Sequence, residues 1–362
     1  MLILLDLDGT LIHDRGYRSA IDAATLAYAR MNALPQYAPS DEDVHVSHAN
    51  GFSNEWDLVA FLAGILHHAR LTDPAHRPDY QTWMRRTNSY NGLPNERARD
   101  ALLHEVAPSL HPTIHRLLDR VTDVANSPTT RIFAEIILGS KLFEQHYGLP
   151  ATMSAPSLLE ELDVPLLDDH SREVILKNRS CIYTARPSLP PGHRDGNQHS
   201  QPRAEAVHPP EAEIALRQLK LESLPMIALG HVQWLADLHD ERVYDLTKPG
   251  PVQALAAFLA AAGIGEQASL HAAYSLWKSN RLDGVYNPIN GEVVYVLEDN
   301  AVGVKACHTA AAMLRGHGFN LSVHGLGIST APVKRAALAP YCSALFDSVN
   351  DAVRYLEAQS PA

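Results

Sequence analysis

The chain has 362 residues, a length that normally corresponds to two domains. Hydrophobic residues make up 46% of it and charged residues 20%, the composition of an ordinary globular protein rather than a disordered or fibrous one. A formal net charge of -11 argues against a nucleic-acid-binding surface, and the apolar start is too short for a signal peptide or a membrane span. Three scattered cysteines do not form a disulfide framework. We therefore expect a cytoplasmic protein without nucleic-acid or membrane partners.

The first predicted element is a short strand that ends on two aspartates. Residues 2–5 are apolar, and Asp6 and Asp8 follow at the spacing that places both side chains on one side of an extended chain. Gly9 permits a sharp turn, and Thr10 can satisfy backbone groups there. At the carboxyl end of a strand in an α/β sheet, such carboxylates lie where ligands usually bind. The alternative is a strand that simply ends in a polar Asp-Gly turn.

A long block from about residue 17 to residue 170 is predicted to be almost wholly helical. Apolar residues recur there at three- and four-residue spacing in five segments, residues 20–31, 55–66, 95–105, 112–122 and 131–147. Proline and glycine fall between these segments, as expected of helix connections. The block carries no strand alternation.

Strands and helices alternate in the rest of the chain. The strand candidates are residues 181–183, 225–229, 293–297 and 320–323, and the helices between and after them are residues 211–219, 252–262, 303–315 and 349–358. This alternation predicts the α/β class, with a Rossmann-like, mostly parallel sheet and helices on both faces.

The first strand belongs to the same sheet, so the helical block is an insertion. We expect residues 1–16 and 171–362 to form the α/β domain and residues 17–170 to form an all-helical domain. Two stretches, residues 188–210 and 265–292, interrupt the alternation and receive no role.

Polar side chains also follow the later elements of the predicted sheet. They are Thr184, Ala185 and Arg186 after the strand at 181–183, Lys248 in a turn before a helix, and Glu298, Asp299 and Asn300 after the strand at 293–297. Taken singly, each has an ordinary explanation as a loop lysine, a strand-end threonine or a helix N-cap pair. Their occurrence in this order is the informative feature.

Taken together, the motifs resemble those of the haloacid dehalogenase (HAD) superfamily. The resemblance consists of Asp6-Leu-Asp8-Gly-Thr, then Thr184, then Lys248-Pro, then Glu298-Asp-Asn with Gly303 after it. Their forms are similar to the phosphatase branch of subfamily I, in which a helical cap of the C1 type is inserted after the first motif. The resemblance implies that residues 17–170 are this cap and determine substrate specificity.

The resemblance also implies a different catalytic role for each of the acids. Asp6 would attack phosphorus and form an aspartyl-phosphate, while Asp8 would protonate the leaving oxygen and then activate water. Mg²⁺ would be held by the carboxylates of Asp6 and Asp299 and by the backbone carbonyl of Asp8. An oxygen-rich site of this kind suits Mg²⁺.

Phosphate binding is assigned by the same resemblance. The Thr184 hydroxyl and the backbone N–H of Ala185 would hold phosphate oxygens, and Lys248 would add a positive charge and orient Asp6. Three further side chains are candidates for supporting the site, namely Glu298, Asn300 and Arg186.

One spacing departs from the family pattern. Lys248 and Glu298 are 50 residues apart (298 − 248), which is longer than usual between these motifs. The stretch 265–292 accounts for the excess if it is a surface excursion, because such insertions cost little. If it is integral to the sheet, Lys278 becomes the alternative lysine.

The predicted function is a magnesium-dependent phosphatase acting on a small phosphorylated metabolite. A phosphomutase similar to β-phosphoglucomutase shares the Glu-Asp pair and is the enzymatic alternative. A binding protein that keeps the fold but not the activity is the other alternative. A dehalogenase would not need the acid at Asp8, and a phosphonatase would need a cap lysine, for which residues 17–170 offer only Lys141.

Substrate identity is not encoded in these motifs. Residues 50–57 are polar and aromatic and stand before a predicted helix. They are either substrate contacts or a helix cap followed by a core tryptophan. The oligomeric state is equally open.

Overall fold

The structure, a computed structural model, describes residues 1–52, 54–192 and 208–359. Among these residues the chain forms two compact units. Residues 1–14, 163–192 and 208–359 make up the α/β unit, and the described residues of 15–162 make up the helical unit. Most of the stretch 188–210, which interrupts the predicted alternation, lies outside the described residues. No helix in the described part of the chain has the length and apolar character needed to cross a membrane.

The elements follow one another along the chain in three groups. The first strands are β1 (Leu2–Leu5) and β2 (Ile12–His13). The helical unit contains α1 (Arg15–Met31), α2 (Asp41–Ala49), α3 (Glu55–Thr72), α4 (Tyr80–Arg86), α5 (Pro94–Glu105), α6 (His111–Leu118), α7 (Pro128–Leu138), α8 (Ser140–Tyr147) and α9 (Leu158–Leu162). The α/β unit continues with β3 (Val164–Pro165), α10 (Asp169–Lys177), β4 (Ser180–Tyr183), α11 (Glu211–Leu219), β5 (Met226–Ile227), α12 (Leu229–His239), α13 (Val243–Leu246), α14 (Pro251–Ala261), α15 (Glu266–Ser279), β6 (Val293–Glu298), α16 (Ala301–Gly316), β7 (Ser322–Ile328), α17 (Pro332–Leu338), β8 (Cys342–Phe346) and α18 (Val349–Gln359).

Six strands form a parallel sheet in the order β5-β4-β1-β6-β7-β8. β1 lies in its interior, where Leu4 pairs with Cys181 of β4 on one side and with Val296 of β6 on the other. The chain proceeds outwards from β1 to β5, then returns to β6 and continues to β8, so the strand order reverses beside β1. Open α/β sheets bind ligands at the carboxyl ends of strands at such a reversal. The predicted α/β class with a Rossmann-like parallel sheet is confirmed.

Helices cover both faces of this sheet, which explains why β1 is apolar at every position. Leu2 and Leu4 pack into the core formed with α12, α14, α15 and α16. Ile3 and Leu5 pack into the core on the other face, formed with α10, α11 and α18. None of the four side chains is exposed, as expected for a central strand of a parallel sheet.

Some elements of the α/β unit differ from the sequence-based expectation. β5 has only two residues because Leu229 already begins α12. β7 continues to Ile328, five residues beyond the predicted end, since Gly325 and Gly327 interrupt its apolar pattern without breaking the pairing. β8 was not predicted, and its residues are half-buried or exposed rather than apolar throughout.

The stretch 265–292 is not a surface excursion. Its first half forms α15, in which Leu270, Ala273 and Leu276 have no exposed surface and belong to the core shared with α14. The stretch is integral to a helical layer rather than to the sheet, so it lengthens the chain between Lys248 and β6 without displacing a strand.

Two features of the helical unit refine the sequence reading. The predicted helix 131–147 is two helices, because Gly139 adopts φ +78° and a Cβ there would lie 2.6 Å from the Ser157 nitrogen.

At the start of α3, the Asn54 side chain accepts a hydrogen bond from the Trp56 N–H at 2.9 Å, and the Trp56 side chain is buried. This favours the helix-cap interpretation of residues 50–57.

A buried histidine makes the helical unit sensitive to acid. His67 is buried in α3, and its Nε2 lies 3.0 Å from the Tyr28 hydroxyl of α1. Burial, together with the nearby Arg70 and Arg116, lowers the pKa of His67 to about 4 from an ordinary 6.5. The unfolded state therefore binds a proton more readily than the folded state, and the free energy of unfolding falls as the pH decreases from 6.5 towards 4.

We predict that His67→Gln flattens this pH dependence. Glutamine keeps a polar partner for the Tyr28 hydroxyl but does not titrate, so the urea midpoint of the variant should change less between pH 6.5 and 4 than that of the wild type. His45→Gln is the control, because His45 is an exposed residue of α2. Equal slopes for all three proteins would contradict the prediction.

Candidate active site

The first predicted site segment leaves β1 in a tight turn. The Asp6 N–H still donates to the Leu297 carbonyl at 3.1 Å, so Asp6 stands at the end of the sheet pairing. The turn closes on the Leu7 carbonyl, which accepts hydrogen bonds from the N–H groups of residues 10, 11 and 12. Gly9 adopts φ +72°, and a Cβ there would lie 2.3 Å from Asp299 Oδ2. Glycine is therefore required both by the turn and by the close approach of Asp299.

Lys248 connects the ends of three strands. Its Nζ donates to Asp6 Oδ1 at 3.0 Å, to Glu298 Oε1 at 2.6 Å and to the Tyr183 carbonyl oxygen at 2.9 Å. The same nitrogen lies 4.0 Å from the centre of the Tyr183 ring. Asp6 directly follows β1, Glu298 ends β6 and Tyr183 ends β4, and the carboxyl ends of these three strands are adjacent in the sheet. Lys278 instead pairs with Glu241, so the structure brings Lys248 to Asp6 and does not bring Lys278 there.

A buried glutamine, which sequence reasoning missed, holds the Lys248 loop in place. Gln253 Oε1 accepts from the Lys248 backbone N–H at 3.3 Å. Its Nε2 donates to the Thr184 carbonyl at 2.7 Å and to the Ile227 carbonyl at 3.1 Å. The side chain thus joins the ends of β4 and β5 to the first turn of α14, a contact that no local sequence signal indicates.

Burial dominates the electrostatics of this cluster. It raises the pKa of Asp6 to about 6 and that of Glu298 to about 8, although the Lys248 ammonium opposes both shifts. Burial also disfavours the charge on Lys248, but Asp6 and Glu298 outweigh it and raise the lysine pKa above its ordinary value. The ammonium is therefore held charged between two acids that are reluctant to ionise.

Three carboxylates could hold a metal ion. Oxygen atoms of Asp6, Glu298 and Asp299 all lie within 4.8 Å of one another, the one such group found in the described part of the chain. Glu298, predicted only as a supporting residue, belongs to this group. A Cβ at Gly303 would lie 1.7 Å from Glu298 Oε1, so α16 can approach that carboxylate only with glycine at this position.

Asn300 has a structural role. Its Oδ1 accepts a hydrogen bond from the Val302 N–H at 3.0 Å and caps α16. The candidate support residue therefore fixes the helix that begins beside Glu298 and Asp299.

Lys334 is a cation that sequence reasoning did not find. It lies on α17, after β7, and its Nζ is hydrogen-bonded to Asp299 Oδ2. Burial disfavours its charge, but Asp299 outweighs this effect and raises the lysine pKa above its ordinary value. No motif marks this residue, because its position depends on where the chain turns after β7.

Asp8 is not one of the three clustered carboxylates, and its side chain binds an arginine instead. The wholly buried Arg186 donates from Nε to Asp8 Oδ1 at 3.0 Å, and its Nη2 is bonded to the same oxygen. Its Nη1 donates to Asp163 Oδ2 at 3.0 Å. Thr184 is buried directly after β4, where its hydroxyl oxygen accepts from the Arg186 N–H at 3.1 Å, and Ala185, between them in the chain, is exposed.

Comparisons with known proteins support the fold. Northeast Structural Genomics Consortium target ZR25, solved by X-ray crystallography, matches with a TM-score of 0.60 and 13% identity over 99% of this chain and 98% of its own. Phosphatase Tt82 from Thermococcus thioreducens matches with a TM-score of 0.53 and 12% identity over 99% of this chain and 100% of its own. Neither the protein-family models nor the curated proteins gave a match. At these identities the likeness establishes the shared fold.

We predict that Lys248→Met destabilises the protein in a pH-dependent way. Removing the ammonium leaves Asp6 and Glu298 buried without their cation, which costs about 3–5 kcal/mol when both are ionised. The stability of the variant falls furthest below that of the wild type where these acids are ionised, so the loss should grow as the pH rises through about 6, where Asp6 ionises in the wild type, and on through about 8, where Glu298 does.

Urea unfolding of wild type and variant across this range measures the effect. Lys278→Met is the matched control, because Lys278 is an exposed lysine in a surface ion pair. A loss of stability in Lys248→Met that does not change with pH would contradict the prediction.

Proposed function

We propose that this chain is a HAD-like, magnesium-dependent phosphatase that hydrolyses a small phosphorylated metabolite. The observation that carries the proposal is the contact of Lys248 with both Asp6 and Glu298, beside Asp299 and at the reversal of strand order. A fold shared with phosphatase Tt82 supports it. We also assign substrate selection to the inserted helical segment, predicted as residues 17–170.

Asp6 is the proposed nucleophile. One of its carboxylate oxygens attacks phosphorus, the bond from phosphorus to the alcohol oxygen breaks, and an aspartyl-phosphate forms. The contact with Lys248 supports this role, because the ammonium favours the ionised carboxylate against the effect of burial.

Asp8 is the proposed acid and base. It gives a proton to the departing alcohol oxygen in the first step. In the second step it takes a proton from the water that attacks phosphorus, and the bond to Asp6 breaks to release phosphate. Its side chain is 30% exposed and so remains accessible from solvent, unlike the clustered acids.

Magnesium is the proposed cofactor, held by the carboxylates of Asp6, Asp299 and Glu298 and by the backbone carbonyl of Asp8. The donors fit, because Mg²⁺ prefers oxygen ligands and three carboxylates already converge here. Carboxylates outnumber cations in this region, so an arriving phosphate would meet net repulsion. The bound ion would supply the positive charge that offsets it.

Thr184, Ala185 and Lys248 are the proposed phosphate ligands. Thr184 and Ala185 follow β4, which pairs directly with β1, so their polar groups lie at the same edge of the sheet as Asp6. Lys248 already bridges this edge with its ammonium. A hydroxyl, a backbone N–H and an ammonium together match the oxygens of a phosphate group.

We predict that Asp6→Asn abolishes hydrolysis. The amide is not a competent nucleophile, so kcat should fall at least about 1000-fold, the scale seen when a covalent nucleophile is removed. A panel of phosphorylated metabolites and p-nitrophenyl phosphate, assayed with and without Mg²⁺, supplies the measurement. Asp169→Asn is the control, because Asp169 is a 90% exposed residue of α10.

The outcomes separate the three candidate functions. Release of inorganic phosphate by the wild type, lost in Asp6→Asn, supports the phosphatase. Transfer of phosphate within a sugar phosphate without release would indicate the mutase instead. Absence of turnover on every substrate, aryl phosphates included, would reject both and favour the non-catalytic alternative.

We predict that Lys334→Gln strengthens metal binding. The Lys334 ammonium pairs with Asp299, a proposed ligand, and its removal takes away a competing cation. Because Lys334 is 54% exposed and screened by solvent, we expect an increase in Mg²⁺ affinity of about two- to fivefold. Titration calorimetry without substrate measures it, with Lys177→Gln of α10 as the control. Unchanged or weaker Mg²⁺ binding would show that Lys334 does not compete.

A further inference from the structure

The Arg186 side chain binds Asp8, an acid of the proposed site, and a second acid, Asp163. None of the Arg186 side chain is exposed. Its Nε lies 3.0 Å from Asp8 Oδ1 and 3.3 Å from Oδ2, and its Nη2 bonds to Oδ1 as well. The other terminal nitrogen, Nη1, reaches Asp163 Oδ2 at 3.0 Å. The guanidinium is thus shared between two carboxylates.

The chemistry of this contact fixes the Asp8 carboxylate in direction as well as position. Two N–H groups of a planar guanidinium bind a carboxylate in a fork that permits little rotation. The Asp8 side chain is 30% exposed while that of Arg186 is fully buried. Asp8 is therefore bound by Arg186 on its buried side and accessible to solvent on the other side. A lysine cannot reproduce this fork, because its ammonium is a single point charge.

Asp163 is the second acid that binds Arg186. Its side chain has no exposed surface, and it accepts from the nitrogen that Asp8 does not use. A buried arginine bound to one partly exposed acid would carry a poorly compensated charge, and a second buried acid reduces that cost. Asp163 is also the residue at which the α/β unit resumes after the insertion.

We infer that Arg186 is a positioning residue for the reaction, which holds the Asp8 carboxylate towards the departing oxygen, and that Asp163 orients Arg186. This inference rests on the proposed phosphatase function. It predicts that Arg186 matters most for phosphate esters of poor leaving groups, because these need the proton from Asp8. Esters of acidic phenols leave with little help and depend on Arg186 much less.

The test is the leaving-group dependence of kcat/KM, which reports the steps up to formation of the aspartyl-phosphate. Wild type, Arg186→Lys and Asp163→Asn are assayed on aryl phosphates from p-nitrophenyl to unsubstituted phenyl phosphate. For Arg186→Lys we expect a loss of about tenfold or less on p-nitrophenyl phosphate and of at least about 100-fold on phenyl phosphate. Asp163→Asn should show the same trend with smaller losses. Arg179→Lys, at the start of β4 and paired with Glu292, is the control.

A merely structural role would not produce this pattern. Equal losses on all esters, or none, would overturn the positioning role. If Arg186→Lys does not fold, as judged by circular dichroism, Asp163→Asn is the deciding variant, because it keeps the side chains of Arg186 and Asp8 and removes only the charge of the acid that orients Arg186. The failure of the proposed function is distinguishable, since the wild type would then hydrolyse none of the esters.

Discussion

A single ammonium group buried among carboxylates holds this site together. Lys248 reaches Asp6, Glu298 and the Tyr183 carbonyl, and through them it ties β1, β6 and β4 at one edge of the sheet. Buried charges are tolerated only when they are paired and hydrogen-bonded, so none of these three polar partners can be lost without leaving another uncompensated. The need to neutralise buried acids therefore dictates much of the local structure, including Gln253, which fixes the loop that carries Lys248.

Two cations outside this centre divide the remaining acids between them. Arg186 is paired with Asp8, and Lys334 is paired with Asp299. The Arg186 side chain is wholly buried, whereas that of Lys334 is half exposed. The difference in exposure gives the two contacts different characters. The Arg186 contact is a fixed part of the structure, since moving the guanidinium away from its acids would leave a buried charge unpaired. The Lys334 contact can open at little cost, because solvent can replace the carboxylate around an exposed ammonium.

The contact of Lys248 with Asp6 was implied by the resemblance of the motifs alone, since Lys248 lies in a turn between two helices and not at a strand end. The sequence pattern predicted the fold class and the closeness of Asp6 and Glu298, because the carboxyl ends of neighbouring parallel strands share one edge. It could not predict the residues whose position depends on irregular backbone. Lys334 and Asp163 reach the site from a short helix and from the junction after the insertion, and neither carries a periodic signal. For the same reason β8 was missed, since a partly exposed edge strand lacks the apolar run that identifies the central ones.

The position of β1 in the chain has a consequence for biosynthesis. Leu4 must pair with Cys181 and Val296, so β1 waits for partners of which the later one lies almost 300 residues further along the sequence. At ribosomal rates of about 5–20 residues per second, that delay is roughly 15–60 seconds. The helical unit depends on contacts within residues 15–162 and can fold in the meantime. Asp6 thus leaves the ribosome long before Lys248 and Glu298, and until they follow, an apolar strand remains unpaired beside it.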